Sequence, residues 1–231
     1  MTADQLTQLI LDAKSLFSKD WLKSYGLFFE REHIQRFSKG LIRFHENGVS
    51  DHLPLPHFSE EITPNLDTSY RFFESDISEI IDEKISNDIA ITEKLVETIQ
   101  NTPFNHILLI MGQRQTSATL KTIKGLPLKK QVLIDSSLSA FNSQISVGVR
   151  AWEKHTDRSE DAFWGNIKGT PQQKQNKVKQ IITTLIEQHT WWNTFHHYKH
   201  EIVFEIRVES GHGMRWSYKD QLLIGFLEPF L

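Results

Sequence analysis

Apolar residues in the first hundred positions recur at intervals of three and four. Leu6, Leu9, Ile10, Ala13, Leu16 and Phe17 share one face of a helix over 3–18. A second helix is predicted over 29–46, with Ile34, Phe37, Leu41 and Phe44 inward and Gly48 just past its end. The stretch 49–69 carries Pro54, Pro56 and Pro64 and reads as irregular, because proline lacks a backbone donor and restricts the residue before it. Its Leu53, Leu55, Phe58, Ile62 and Leu66 suit a loop packed onto the body. Helical spacing returns over 75–100, where Asn87-Asp88 separates the stripe Ile77, Ile80, Ile81, Ile85 from the stripe Ile91, Leu95, Ile99.

The apolar runs 106–111 and 131–134 fit a strand or a buried helix equally, since short runs have no decisive period. A helix is expected over 138–155, with room for a break at Asn142–Ser146. A polar loop with Trp164 and Gly165 covers 157–171. The clearest helix spans 172–192, where Val178, Ile181, Ile182, Leu185, His189 and Trp192 line one side.

The pattern then changes to strict alternation. In Glu201–Glu209, Ile202, Phe204, Ile206 and Val208 point one way and Glu205, Arg207 and Glu209 the other. Met214–Tyr218 and Gln221–Phe226 complete a three-strand antiparallel meander. A three-residue turn, Gly211 to Gly213, would pair Glu209 with Arg215 and Val208 with Trp216, matching opposite charges and apolar partners. The fold class is therefore α+β, mainly helical, with this meander packed on the 172–192 helix. The chain is read as a single domain over 1–231, with an acidic helical part (1–100) and a more basic part (101–231).

Charge sharpens that division. Residues 1–100 hold 10 Lys/Arg against 18 Asp/Glu, and residues 101–231 hold 16 against 11. The second part also holds seven of the 11 histidines and five of the six tryptophans. Attraction between two parts of one domain accounts for the asymmetry, and so does an anion bound by the second part. An excess of five positive charges is small for a nucleic-acid-binding domain, which argues against such a partner. The absence of cysteine removes disulfides and thiolate chemistry. With no basic, apolar leader and no apolar run of membrane-spanning length, the expected location is the cytoplasm, away from membranes.

Three constellations could carry chemistry. On the meander, Glu205, Arg207, Glu209 and Arg215 flank His212, a residue that titrates near neutral pH between two glycines. The alternative is a solvated face laced by ion pairs. Arg150, Lys154 and Arg158, with His155, form a cationic row on the side of their helix away from its apolar stripe. His196 and His200 would stand four apart if the helix ran on, a zinc-ligand spacing, although no acidic residue lies inside the pair. Carbonyl-capping imidazoles suit that segment better, so no metal is assigned.

No nucleophile elbow, phosphate loop or dinucleotide glycine pattern occurs, and the sequence specifies no cofactor. The leading expectation is an anionic, phosphorylated or carboxylate small-molecule site in the C-terminal part. There Arg150, Lys154, Arg158, Arg207, Arg215, Glu205 and Glu209 would bind, and His155 and His212 would move protons. The alternatives are a non-catalytic module with a protein partner docked on the N-terminal helices or the 49–69 loop, and a His-based metal-binding hydrolase.

Overall fold

The computed structural model describes residues 1–50, 54–82, 89–156, 162–165 and 168–230. The chain gathers into two compact units, one formed by Met1–His52, Ile62–Gln115 and Leu120–Leu126, the other by Leu53–Glu61, Thr116–Thr119 and Pro127–Leu231.

The first unit is helical: α1 (Ala3–Asp12), α2 (Lys19–Tyr25), α3 (Arg31–Asn47), α4 (Asp67–Tyr70), α5 (Glu74–Asp82), α6 (Ile89–Asn101) and α7 (Phe104–Ile110). Thr2 and Gln5 close a capping box at the start of α1. The stripe Ile34, Phe37, Leu41 and Phe44 of α3 is buried as its spacing predicts. Its rings join a mostly edge-on aromatic cluster with Phe28, Phe73 and Tyr70. The run 106–111 resolves as helix. Ile107 to Ile110 are all buried, and a short helix enclosed on every side needs no polar face.

The second unit contains α8 (Lys130–Leu138), α9 (Val147–Thr156), α10 (Pro171–Gln188) and a four-stranded antiparallel sheet in the order β1 (Trp191–His197), β2 (Glu201–Arg207), β3 (Gly213–Ser217), β4 (Leu223–Leu227). The run 131–134 is thus also helical. The expected 138–155 helix breaks where anticipated. Asn142 Oδ1 accepts from the Gln144 and Ile145 amides, and a bridge between Ala140 and Ser146 turns the chain back. Thr170 caps α10 in a box with Gln173, and Pro171 opens it.

Two expectations about the sheet require correction. The predicted helix 172–192 stops at Gln188, and Trp191 and Trp192 begin a fourth strand, so the meander has four strands and not three. Leu185, His189 and Trp192 happen to keep helical spacing. However, the stretch from Thr190 to Phe195 is aromatic and β-branched, and it pairs along its full length with β2. The β2–β3 turn is also longer than three residues. Glu205, not Glu209, faces Arg215, and Phe204 faces Trp216. The shift is even, so each side chain keeps its predicted face while the partners change.

Alternation gives the sheet two distinct faces. Trp192, Phe204, Ile206, Met214, Trp216 and Phe226 form the apolar face, and Trp216 donates to Ser137 Oγ of α8 at 3.1 Å. Trp191, Asn193, Phe195 and His197 of β1 lie beside Val203, Glu205 and Arg207 of β2 and Arg215 of β3 on the other.

Candidate functional site

The polar face is buried where a solvated face was the simpler expectation. The Glu205 side chain is 1% exposed and that of Arg207 5%. Glu205 accepts from Arg207 Nε at 2.6 Å through one oxygen and from Arg215 Nε at 2.6 Å through the other. One carboxylate thus pairs with two guanidinium groups on neighbouring strands and offsets one of their two charges. Burial acts against the charge of Arg207 and lowers its pKa, and Glu205 offsets part of that cost. Gly213 makes room for the stem of Arg207, since a Cβ there would lie 2.1 Å from the Ile206 carbonyl and 2.8 Å from Arg207 Cγ.

Arg207 reaches two further elements. Its Nη1 donates to the carbonyl of Gly211 at 2.5 Å and to that of Glu228 at 2.6 Å. The first belongs to the loop that carries His212 and the second to the segment after β4. Gly211 has φ +86°, and a Cβ would meet Pro229 at 2.9 Å, so only glycine lets the loop and this segment approach so closely.

That approach builds a second cluster around Glu228. His155 Nε2, from the last turn of α9, stands 2.6 Å from Glu228 Oε1, and His212 Nε2 stands 3.5 Å from Oε2. The first is a close contact outside hydrogen-bond alignment. His212 Nδ1 is 2.9 Å from Ser210 Oγ, and its ring stacks on the exposed Phe163 at 3.8 Å with planes 2° apart. Trp164 is fully buried and acts as the anchor of its loop. Its carbonyl accepts from Trp152 Nε1 at 2.9 Å, and its own Nε1 donates to Glu228 Oε1 at 3.3 Å. The side chain of Glu228 is 38% exposed, but its Oε2 and the facing His155 Nε2 are buried, so the polar atoms of this cluster are screened from water. Two imidazoles facing one carboxylate are groups able to exchange protons with a substrate that reaches them.

The network ends on β1 at His197. Arg215 Nη1 stands 2.9 Å from His197 Nε2, and the Lys199 amide lies 3.2 Å from Nδ1. A neutral ring accepts at only one nitrogen, so it satisfies either the Arg215 guanidinium or the Lys199 amide. Burial first, then the Arg215 charge, holds the pKa of His197 below the usual imidazole value. The unfolded chain therefore takes up a proton before the folded one as pH falls. The stabilisation from neutral His197 is complete above about pH 6.5 and is lost as pH drops through the lowered folded value. The melting temperature is expected to fall between pH 7 and 5.5, and to fall less in a His197→Asn protein. Equal pH slopes in the two would contradict this assignment.

The remaining predicted site residues scatter. Arg150 lies 5.9 Å from the Phe141 ring centroid, and Lys154 is exposed one residue before His155. Arg158 lies outside the described residues. Glu209 is exposed in the β2–β3 loop, away from the ladder. His196 sits on a strand and His200 in a turn, which breaks the helical spacing that suggested a metal pair. Among the described residues no group of three or more His, Asp or Glu side chains is placed to hold a metal. A hollow of about 540 Å³ bordered by Asn142, Gln144, Thr170, Gln172 and Gln175 has no titratable side chain in its lining.

Sequence reasoning missed Asn193 and Glu228, and noted His197 only beside His196 and His200 in a histidine-rich connection. Asn193 lay in that same connection. Glu228 follows the last strand with no motif around it. Asn193 is fully buried, donates to Thr119 Oγ1 at 2.8 Å and leaves Oδ1 unpartnered beside Glu205 in the ladder.

Among the described residues no helix is long and apolar enough to cross a membrane. No curated protein and no solved structure matches the chain. Residues 134–228 match the family described as the CdiA C-terminal tRNase toxin domain. This segment runs from within α8 to Glu228 and includes both clusters. The similarity corrects the functional expectations. A family of tRNA-cleaving toxins runs against a small anionic ligand and against a non-catalytic docking module, and agrees only in part with the hydrolase alternative. It also runs against the expectation, drawn from a modest positive charge, that nucleic acid is an unlikely partner. Residues 134–228 of this chain are similar to a tRNase toxin domain.

Proposed function

We propose that the C-terminal unit cleaves tRNA by general acid–base catalysis, with His155 and His212 as the proton-transferring pair. The observation that carries this reading is the placement of two imidazoles, from α9 and from the β2–β3 loop, on one carboxylate inside the segment that resembles a tRNase domain.

The chemistry needs little else. One neutral imidazole removes the proton of a ribose 2′-hydroxyl. The freed oxygen attacks the adjacent phosphorus, the bond from phosphorus to the 5′-oxygen breaks, and the charged imidazole protonates that leaving oxygen. The products are a 2′,3′-cyclic phosphate and a 5′-hydroxyl. The Glu228 carboxylate occupies the place where the negative phosphate oxygens would sit. Arg150, Lys154 and Arg158 would supply attraction to the backbone, as the basic balance of residues 101–231 suggests. Arg207 acts by positioning: it fixes the Gly211 carbonyl of the loop that carries His212, and Glu205 holds it in turn. Because tRNA resides in the cytosol, the reaction would run there.

The test is incubation of the purified chain with a tRNA transcript, followed by end analysis of the fragments. Discrete fragments ending in 2′,3′-cyclic phosphate are expected. Intact tRNA, or fragments with 5′-phosphates, would overturn the proposal.

A further inference from the structure

The segment Glu228–Phe230 places an aromatic ring where an RNA base could lie. The Phe230 ring stacks on Phe58 with centroids 3.6 Å apart and planes 13° apart. The Arg207 guanidinium carbon also lies 3.6 Å from the Phe230 centroid. Carbon atoms in contact stand about 3.5 Å apart, so both groups lie nearly on the ring axis. They cannot share one side of the ring and must cover opposite faces. Trp191 closes one edge, 5.6 Å away and tilted by 70°, with its Nε1 donating to Glu61 at 3.0 Å. The result is a slot with an aromatic roof, a guanidinium floor and an indole wall.

Flat groups of this kind hold nucleobases without regard to sequence, since every base has a π-face and arginine adds cation–π attraction. The slot adjoins the imidazole cluster through the same three residues. Glu228 presents a carboxylate to His155 and His212, and two positions later Phe230 presents a flat ring to Arg207 and Phe58. An RNA nucleotide likewise carries a phosphate and a base on one ribose.

We propose that the gap between Phe58 and Arg207 is a nucleobase-stacking subsite, that Phe230 fills it as a built-in substitute, and that RNA enters by displacing the Glu228–Phe230 segment. This rests on the tRNA-cleavage reading for its biological ligand, but its test does not require cleavage.

The probe is a short RNA methylated at every 2′-oxygen, which removes the attacking group, with an abasic strand of the same length as control. Phe230→Ala is expected to bind the base-bearing probe about tenfold more tightly than the parent protein, and Phe58→Ala in that background to reverse the gain. The abasic strand should respond to neither change. Unchanged or weaker binding by Phe230→Ala, or equal responses of the two probes, would overturn the subsite. The parent protein supplies a check independent of any substitution: a 5-iodouracil base in the probe should cross-link to Phe58 or Trp191, and attachment confined to other residues would also overturn it. Cleavage of tRNA with a failed slot test leaves the reaction assigned and removes only the subsite. Slot binding without cleavage removes the reaction and keeps the subsite.

Discussion

His155→Gln and His212→Gln proteins are expected to cleave tRNA about 10²- to 10⁴-fold more slowly than the parent while melting at nearly the same temperature, the usual range for loss of a positioned acid or base. Glutamine retains a polar reach without a titratable ring. The two substitutions should not add. Each removes one of two proton transfers in a single step, so the double variant should be little slower than the worse single one. The rate of the parent should pass through a maximum with pH, because one ring must be neutral and the other charged, and each single variant should lose one limb of that profile. Rates within a few-fold of the parent in both variants would remove these residues from the chemistry. The limb lost in each variant assigns the base and the acid.

Glu205→Gln is expected to be the most destabilising single change in the C-terminal unit. It keeps the shape of the side chain but leaves Arg207, with its side chain 5% exposed, and Arg215, at 19%, without their shared counter-charge. Removing one partner of a buried ion pair costs about 3–5 kcal/mol. In a protein of this size that lowers the melting temperature by roughly 6–20 °C. Trp152, Trp164, Trp191, Trp192 and Trp216 all lie in this unit, so tryptophan emission follows its unfolding. Adding Arg207→Met to Glu205→Gln should restore part of the stability by deleting a stranded charge. It should not restore cleavage, because nothing would then hold the Gly211 carbonyl of the loop that carries His212. A loss well under 1 kcal/mol in the single variant would show that the pair is more hydrated than its burial implies.

Helices α1, α3, α5 and α6 were legible because each must bury a stripe, and a stripe leaves a period of 3.6 in the sequence. α3 is the clearest case. Where a segment is enclosed on all sides, as in α7, the period vanishes, and only packing shows that it is helical. The strand β1 was obscured for another reason. Its tryptophans happen to continue the spacing of α10, and the change of backbone at His189 leaves no proline or glycine as a marker.

The sequence by itself determined the two faces of the sheet, since alternation assigns Glu205, Arg207 and Arg215 to one side whatever the register. It also supplied the glycines that let the β2–β3 loop and the segment after β4 come together. Tertiary structure decided which charges meet. The turn places Glu205 and not Glu209 opposite Arg215, and α9 brings His155 to a carboxylate 73 positions later. Such meetings depend on how elements pack, and packing energy is spread over many apolar contacts that no local pattern records.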